Sequence, residues 1–116
     1  MKLKVISGGQ TGADLGGLWA ALFSEVQTGG RAPQGFRTQA GPQPTLRLFG
    51  ITDDTKYDYR DRTIKNINES DATVVFATKV GSPGTKLTIN QCARSKKLCF
   101  INDVEKAKRW LEYRQL

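Results

Sequence analysis

Short apolar runs alternate along this chain with stretches in which apolar residues recur every three or four positions, the signature of strands alternating with helices. Residues 2–6 predict a first strand, followed by a glycine-rich loop and a helix over 13–24. Leu15, Leu18, Trp19 and Leu22 share one side of that helix and are expected in the core, while Gly16 and Gly17 predict close packing against a strand or a partner. Residues 26–28 predict a brief second strand that ends at a Gly29-Gly30 turn. From there to Pro44 the chain carries Pro33, Gly35, Gly41 and Pro42 and is expected to form an ordered loop. Residues 46–51 read as an edge strand or a packed extended segment. A helix is expected over 58–68, a buried strand over 72–77, a helix over 85–95 and a second buried strand over 98–101. Residues 104–113 predict an amphipathic helix with Val104, Ala107, Trp110 and Leu111 on one side. Alternation of this kind, with continuous apolar strands, argues for a parallel α/β sheet covered on both faces. At 116 residues the chain is expected to be one domain, 1–116.

Two loops stand out against this pattern. Ser7-Gly8-Gly9-Gln10-Thr11-Gly12 and Gly81-Ser82-Pro83-Gly84-Thr85 each follow a predicted strand and each open a predicted helix. Loops leaving parallel strands at their carboxyl ends converge on one crevice, where helix N-termini offer free N–H groups and a positive dipole end. Glycine lets the backbone approach an anion closely, and threonine hydroxyls add donors. The pair is therefore expected to form a phosphate cradle. Asp14, in the first turn of the first helix, suits the dipole there or serves the ligand. On the helix over 58–68, Tyr59, Arg62, Thr63 and Asn66 fall at i, i+3, i+4 and i+7 and make one polar stripe, while Ile64 and Ile67 point elsewhere. The stripe contains no Lys or Glu, the ordinary residues of a solvated face. Its phenol, guanidinium, hydroxyl and amide suit ribose, phosphate or base recognition.

Composition narrows the choice of partner. Formal net charge is +7, from 18 Lys and Arg against 11 Asp and Glu, which favours anions. The basic residues are scattered rather than run together, so most read as solvated surface and no specific nucleic acid is expected. With no histidine and two cysteines, Cys92 and Cys99, a metal site is not expected and both thiols read as reduced core residues. No apolar run is long enough for a signal peptide or a membrane span, so a cytoplasmic protein without membrane partners is expected. A dinucleotide fingerprint would begin with glycine where Ser7 stands and would place an acidic residue at the end of the second strand; a P-loop would need Gly-Lys-Ser/Thr. Neither pattern is present.

The motif set resembles a known family. Ser-Gly-Gly-Gln-Thr-Gly-Ala-Asp at 7–14, Gly29-Gly30 with Pro33, Gly35, Arg37 and Gly41, Tyr59-x-x-Arg62-Thr63-x-x-Asn66-x-x-x-Ser70-Asp71-Ala72-Thr73, and Gly81-Ser82-Pro83-Gly84-Thr85 resemble the putative molybdenum carriers. That family is similar to the larger superfamily of SLOG, or lysine-decarboxylase-like, Rossmann domains. The resemblance runs in order from Val5 to about Ile101 and implies a Rossmann-like parallel sheet with helices on both faces, holding a nucleotide-type ligand at its carboxyl edge. It implies that Gly8, Gly9, Gln10, Thr11 and Gly12 with Gly81, Ser82, Gly84 and Thr85 hold phosphate. Tyr59, Arg62 and Asn66 would meet the remaining charge, sugar or base, and Asp14 would accept from a ribose hydroxyl. Arg31 and Arg37, on the glycine-rich loop, would close over the ligand or reach a neighbouring subunit of a homo-oligomer.

Departures from the pattern bear on turnover. The phosphoribohydrolase branch of the superfamily carries Pro-Gly-Gly-x-Gly-Thr-x-x-Glu, and aligning Gly84-Thr85 on it puts Thr88 at the Glu position. Asp14 is then the one candidate catalytic carboxylate near the cradle. Leu15 stands where the carrier family usually has a basic residue, and a further Asn-Val-Ala-Gly-Pro-Arg-like segment of the family does not follow before Leu116. These departures favour a binder of a phosphate-bearing, nucleotide-derived small molecule, ADP-ribose-like or a related signal, acting as a sensor or sequestering protein without turnover. The alternatives are a nucleotide N-glycosidase of the phosphoribohydrolase type and a carrier of the molybdenum cofactor. No other cofactor is expected.

Overall fold

The computed structural model describes residues 3–10, 12–53 and 59–114. The chain divides into two compact units, Lys2–Asn66 and Ile67–Leu116.

In the first unit, β1 (Lys4–Ile6) leads through the first glycine loop into α1 (Ala13–Phe23), and β2 (Gln27–Ala32) returns beside it. A hairpin of β3 (Arg37–Thr38) and β4 (Gly41–Pro42) and a 3-10 turn over Pro44–Phe49 precede β5 (Ile51–Asp53). All pairings in the three-stranded sheet are parallel, in the order β1-β2-β5, with Ile6 opposite Gly29 and Gly30 opposite Ile51. The helix α2 (Tyr59–Asn68) closes the unit, its last two residues belonging to the next. The core is small: Leu18 of α1, Ala32 of β2, Phe36, Leu46 and Ile51, with Leu15 and Phe49 packed against it. Burying side chains of the Leu, Ile and Phe size stabilises by about 1.5–3 kcal/mol each, so this cluster anchors the short strands around it.

The expected turn at Gly29-Gly30 is instead the middle of the central strand. Close approach explains it: Ser7 donates its N–H to the Gly29 carbonyl at 3.0 Å, and a Cβ on Gly30, whose φ is +132°, would sit on the Ser7 carbonyl oxygen. Only glycine allows the two backbones to cross there. Arg31 consequently lies in β2 rather than on a loop. The 46–51 segment is a 3-10 turn followed by an edge strand. In α1 only Leu18 and Ala21 are buried, while Trp19 and Leu22, expected in the core, are exposed. Gly16 and Gly17 are not close-packing positions either, since a Cβ at each would meet nothing within 4 Å.

The second unit is a parallel β-α-β turn with a closing helix: β6 (Ala72–Val75), α3 (Pro83–Arg94), β7 (Leu98–Ile101) and α4 (Val104–Arg114). Ala72 pairs with Leu98 and Val75 with Ile101. Beyond the strand ends the Asn102 side chain continues the ladder, accepting from the Ala77 N–H at 2.9 Å and donating to its carbonyl at 2.8 Å. Cys92 and Ala107 are buried, and Phe100 packs against Trp110 with ring centroids 6.1 Å apart. The strands are only partly buried, with Val74, Leu98 and Ile101 exposed; Phe76, just after β6, and Val104 are exposed as well. No helix among the described residues is long and apolar enough to cross a membrane.

Both cysteines are free. Burial first, and then the neighbouring Cys92, push the Cys99 thiol from 9.0 up to about 11. A proton held more tightly in the fold contributes stability below pH 9, lost as pH rises through about 11. Alkylation of Cys99 in the native chain should therefore rise with a midpoint near 11 rather than 9.0, followed by mass spectrometry against the unfolded chain. Denaturant titration should separate two glycine classes. Gly30→Ala should lose the cooperative transition, and Gly17→Ala should gain about 0.5–1 kcal/mol from helix propensity.

Candidate functional site

The loop after β1 is folded back on the first turn of α1. Ser7 donates its hydroxyl to the Asp14 carbonyl at 2.9 Å and accepts the Gly9 N–H at 3.2 Å. The Gln10 N–H donates to Asp14 Oδ2 at 3.3 Å, and Leu15 donates back to the Gln10 carbonyl at 3.0 Å. Gly12 is the N-cap, at φ +85° and ψ −129°, a conformation open to glycine alone, with free space where a Cβ would be. Thr11 lies outside the described residues.

The other wall comes from α2. Asn66 donates to the Arg31 carbonyl at 3.0 Å and accepts the Arg31 N–H at 2.9 Å, so its amide continues the β2 ladder past the end of β1. One turn earlier on the same face, Arg62 reaches across Gly8, where a Cβ would collide with the guanidinium, and meets Asp14 Oδ2 at 3.6 Å. The Arg62 side chain is only 13% exposed. Burial lowers its pKa, with Asp14 and then Tyr59 opposing the shift, and a guanidinium so placed remains charged. Its Nε is buried with no hydrogen-bond partner among the described residues.

Arg62, Tyr59, Gln10 and Gln39 line an open cavity of about 380 Å³. Gln10 is held there by donating its side-chain N–H to the Arg37 carbonyl at 2.9 Å. Gln39 sits in the β3–β4 turn, which Thr38 tightens by donating to the Gly41 carbonyl at 2.8 Å and accepting from Ala40 N–H at 3.1 Å.

The structure thus brings together Gln10, Asp14, Tyr59 and Arg62 around the loop. Others make contacts within the fold. Gly8 makes room for Arg62, and a Cβ on Gly9 would strike Leu46, so both serve packing around the loop. Asn66 is engaged with the backbone of Arg31, and Arg37 contributes its carbonyl to Gln10. Gln39 was not singled out in the sequence; its place between Thr38 and Gly41 in a hairpin-like Gly/Pro segment was the available signal. Gly81, Ser82, Gly84 and Thr85 belong to the second unit. There Ser82 is the N-cap of α3 with Pro83 behind it, and its hydroxyl donates to Thr85 Oγ1 at 3.0 Å instead of capping the backbone. Gly84 faces open space, and Thr88 donates back to the Gly84 carbonyl at 3.2 Å.

A family model described as the circularly permutated YpsA SLOG family matches residues 5–113. The chain belongs to this family. It is similar to a crystal structure of a putative molybdenum carrier protein from Syntrophus aciditrophicus, with 32% identity and a TM-score of 0.81 over 90% of the present chain. The chain spans 65% of the length of that protein. No curated protein matches it significantly. The α/β, Rossmann-like fold expected for this SLOG chain is the one it shares with that structure.

Gly8 offers a test of the geometry. In Gly8→Ala the new methyl displaces the far end of a flexible side chain, so thermal stability should change little. The Arg62–Asp14 contact should be lost, read as altered Arg62 Nε–H and Asp14 side-chain NMR signals.

Proposed function

We propose that this SLOG chain binds a phosphate-bearing, nucleotide-derived small molecule at the Gln10–Gln39–Tyr59–Arg62 cavity, without turning it over. The observation that carries this reading is Arg62: a buried guanidinium on a cavity wall, with, among the described residues, one carboxylate at 3.6 Å and its Nε left unpartnered. An unsatisfied buried donor costs about 1–3 kcal/mol, and an oxyanion beside the guanidinium removes part of that cost. Tyr59 and Gln39 offer a ring and an amide to the sugar or base. Asp14 holds the guanidinium and the Gln10 N–H through one oxygen, which is a positioning role rather than that of a free base.

A carrier of the molybdenum cofactor is the second reading, favoured by the name of the similar structure. A phosphorylated pterin would use the same guanidinium. The hydrolase reading is weaker, because the side chain at the aligned position is Thr88, bonded to the backbone of its own helix.

Thermal shift with nucleoside monophosphates and diphosphates, ADP-ribose, their nucleosides and a phosphorylated pterin tests the proposal. A true ligand at a hundredfold excess over Kd should add about 2.7 kcal/mol, a rise on the order of 10 °C, and matching nucleosides much less. Arg62→Ala should weaken binding by about 1.5–3 kcal/mol while remaining folded. No shift across the panel at millimolar concentration would sink the reading. The bound ligand should be recovered intact after prolonged incubation. Release of free base that disappears in Asp14→Asn, with binding retained, would instead establish an N-glycosidase.

A further inference from the structure

Gln10 is held to the fold at two points. Its backbone N–H donates to Asp14 Oδ2 at 3.3 Å, and its side-chain Nε2 donates to the Arg37 carbonyl at 2.9 Å. A backbone carbonyl can only accept, so the amide nitrogen has to face Arg37 and the orientation of the whole amide is set. Each donor group of the residue is engaged within the fold. The side-chain oxygen Oε1 is left, an acceptor with no hydrogen-bond partner among the described residues. Gln10 lines the cavity beside Arg62, whereas Asp14, which both of them contact, is not among the described lining residues. Gln10, Asp14, Arg37 and Arg62 all belong to the first unit.

We propose that Gln10 selects the sugar of the ligand: its Oε1 accepts a hydrogen bond from a ribose hydroxyl, so the site takes ribonucleotides in preference to their deoxy counterparts. This rests on the reading that Arg62 holds the ligand's phosphate. Ionised phosphate oxygens are themselves acceptors, so an amide that offers its oxygen serves a different group of the ligand. Distance picks that group. Arg62 Nη1 and the Gln10 N–H meet the same carboxylate oxygen, at 3.6 and 3.3 Å, which makes guanidinium and Gln10 near neighbours. In a nucleotide the sugar hydroxyls lie much nearer the phosphate than the amino group of the base does. A ligand whose phosphate meets Arg62 therefore brings a hydroxyl, rather than the base, to Gln10. The cavity is open, so water can take the place of a missing hydroxyl. Selectivity is then that of one neutral hydrogen bond, roughly three- to tenfold, and not the far larger factor of a sealed site that leaves a polar group dry.

Isothermal titration calorimetry of the full chain with AMP, 2′-deoxy-AMP, 3′-deoxy-AMP and IMP tests this. AMP and IMP, which differ in the base's amino group, should bind alike. At least one deoxy compound should bind roughly three- to tenfold more weakly than AMP. Gln10→Met keeps an unbranched side chain and removes the amide; in it the deoxy penalty should vanish, as coupling between residue and hydroxyl requires. Asp14→Asn should retain the penalty. Circular dichroism reports the folding of each variant separately, and the wild type supplies a reading that needs no variant: its Gln10 Nε2–H NMR signals should move on adding AMP. Equal affinity of the wild type for AMP and both deoxy compounds would overturn the proposal, as would Gln10 signals that AMP leaves unmoved. So would a penalty that persists in Gln10→Met, one that disappears in Asp14→Asn, or a preference for AMP over IMP that Gln10→Met removes. If none of the four compounds binds, the proposal falls as well. Binding of ADP-ribose or a phosphorylated pterin that is lost in Arg62→Ala would then sustain the reading beneath it, and its absence would sink both.

Discussion

The crossing of Ser7 against Gly30 organises the first unit. Because Gly30 has no side chain, β2 continues past the end of β1 and the Ser7 backbone rests directly on it. Ser7 is thereby placed to bind the first turn of α1 through its hydroxyl and to take the Gly9 N–H, which turns the loop. The next residue of β2, Arg31, presents its backbone to Asn66, and that pair of hydrogen bonds fastens α2 to the sheet. With Asn66 fixed, helical spacing puts Arg62 one turn away over Gly8. The site is a consequence of a backbone contact several residues from it.

The electrostatic character of the site follows from that placement. The Arg62 side chain is largely buried on the wall of an open cavity, and among the described residues the carboxylate that meets it, Asp14 at 3.6 Å, also receives the Gln10 N–H. The result is a cation only partly matched by its surroundings, on the wall of a cavity whose other described residues are uncharged. Buried charges are costly unless paired and hydrogen-bonded. Asp14 meets the guanidinium and the Gln10 N–H through the same oxygen.

Asparagine appears twice in one structural role. Asn66 beside Arg31 and Asn102 beside Ala77 each lend a side-chain amide to a strand end, donating and accepting as a neighbouring strand would. Short parallel strands run out of partners at their ends, and unpaired backbone groups there must be satisfied. Asn66, whose place on the polar stripe suggested a ligand contact, has its amide engaged with the Arg31 backbone. Side-chain chemistry alone does not distinguish an amide that meets a ligand from one that meets a backbone.

What the sequence determined by itself was local and periodic. Alternating apolar runs and helical spacing located α1, α2, α3, β7 and α4 to within a few residues, because these patterns arise from chain geometry alone. The glycine loops and the Tyr59–Arg62–Asn66 stripe were visible for the same reason, and with the motif order they carried the family. Tertiary structure decided what each glycine and polar group meets. Gly29-Gly30 reads as a turn because glycine favours turns; it is a central strand because Ser7 needs the space. Gly8 reads as a phosphate contact, and the fold also uses its missing side chain to seat Arg62. Trp19 and Leu22 read as core by their spacing, yet within the first unit the cluster of Leu18, Ala32, Phe36, Leu46 and Ile51 takes Leu18 and Leu15 of α1 and not these two. Each of these outcomes rests on a contact between residues far apart in the chain, and a periodicity read along the chain carries no information about which distant residue will arrive.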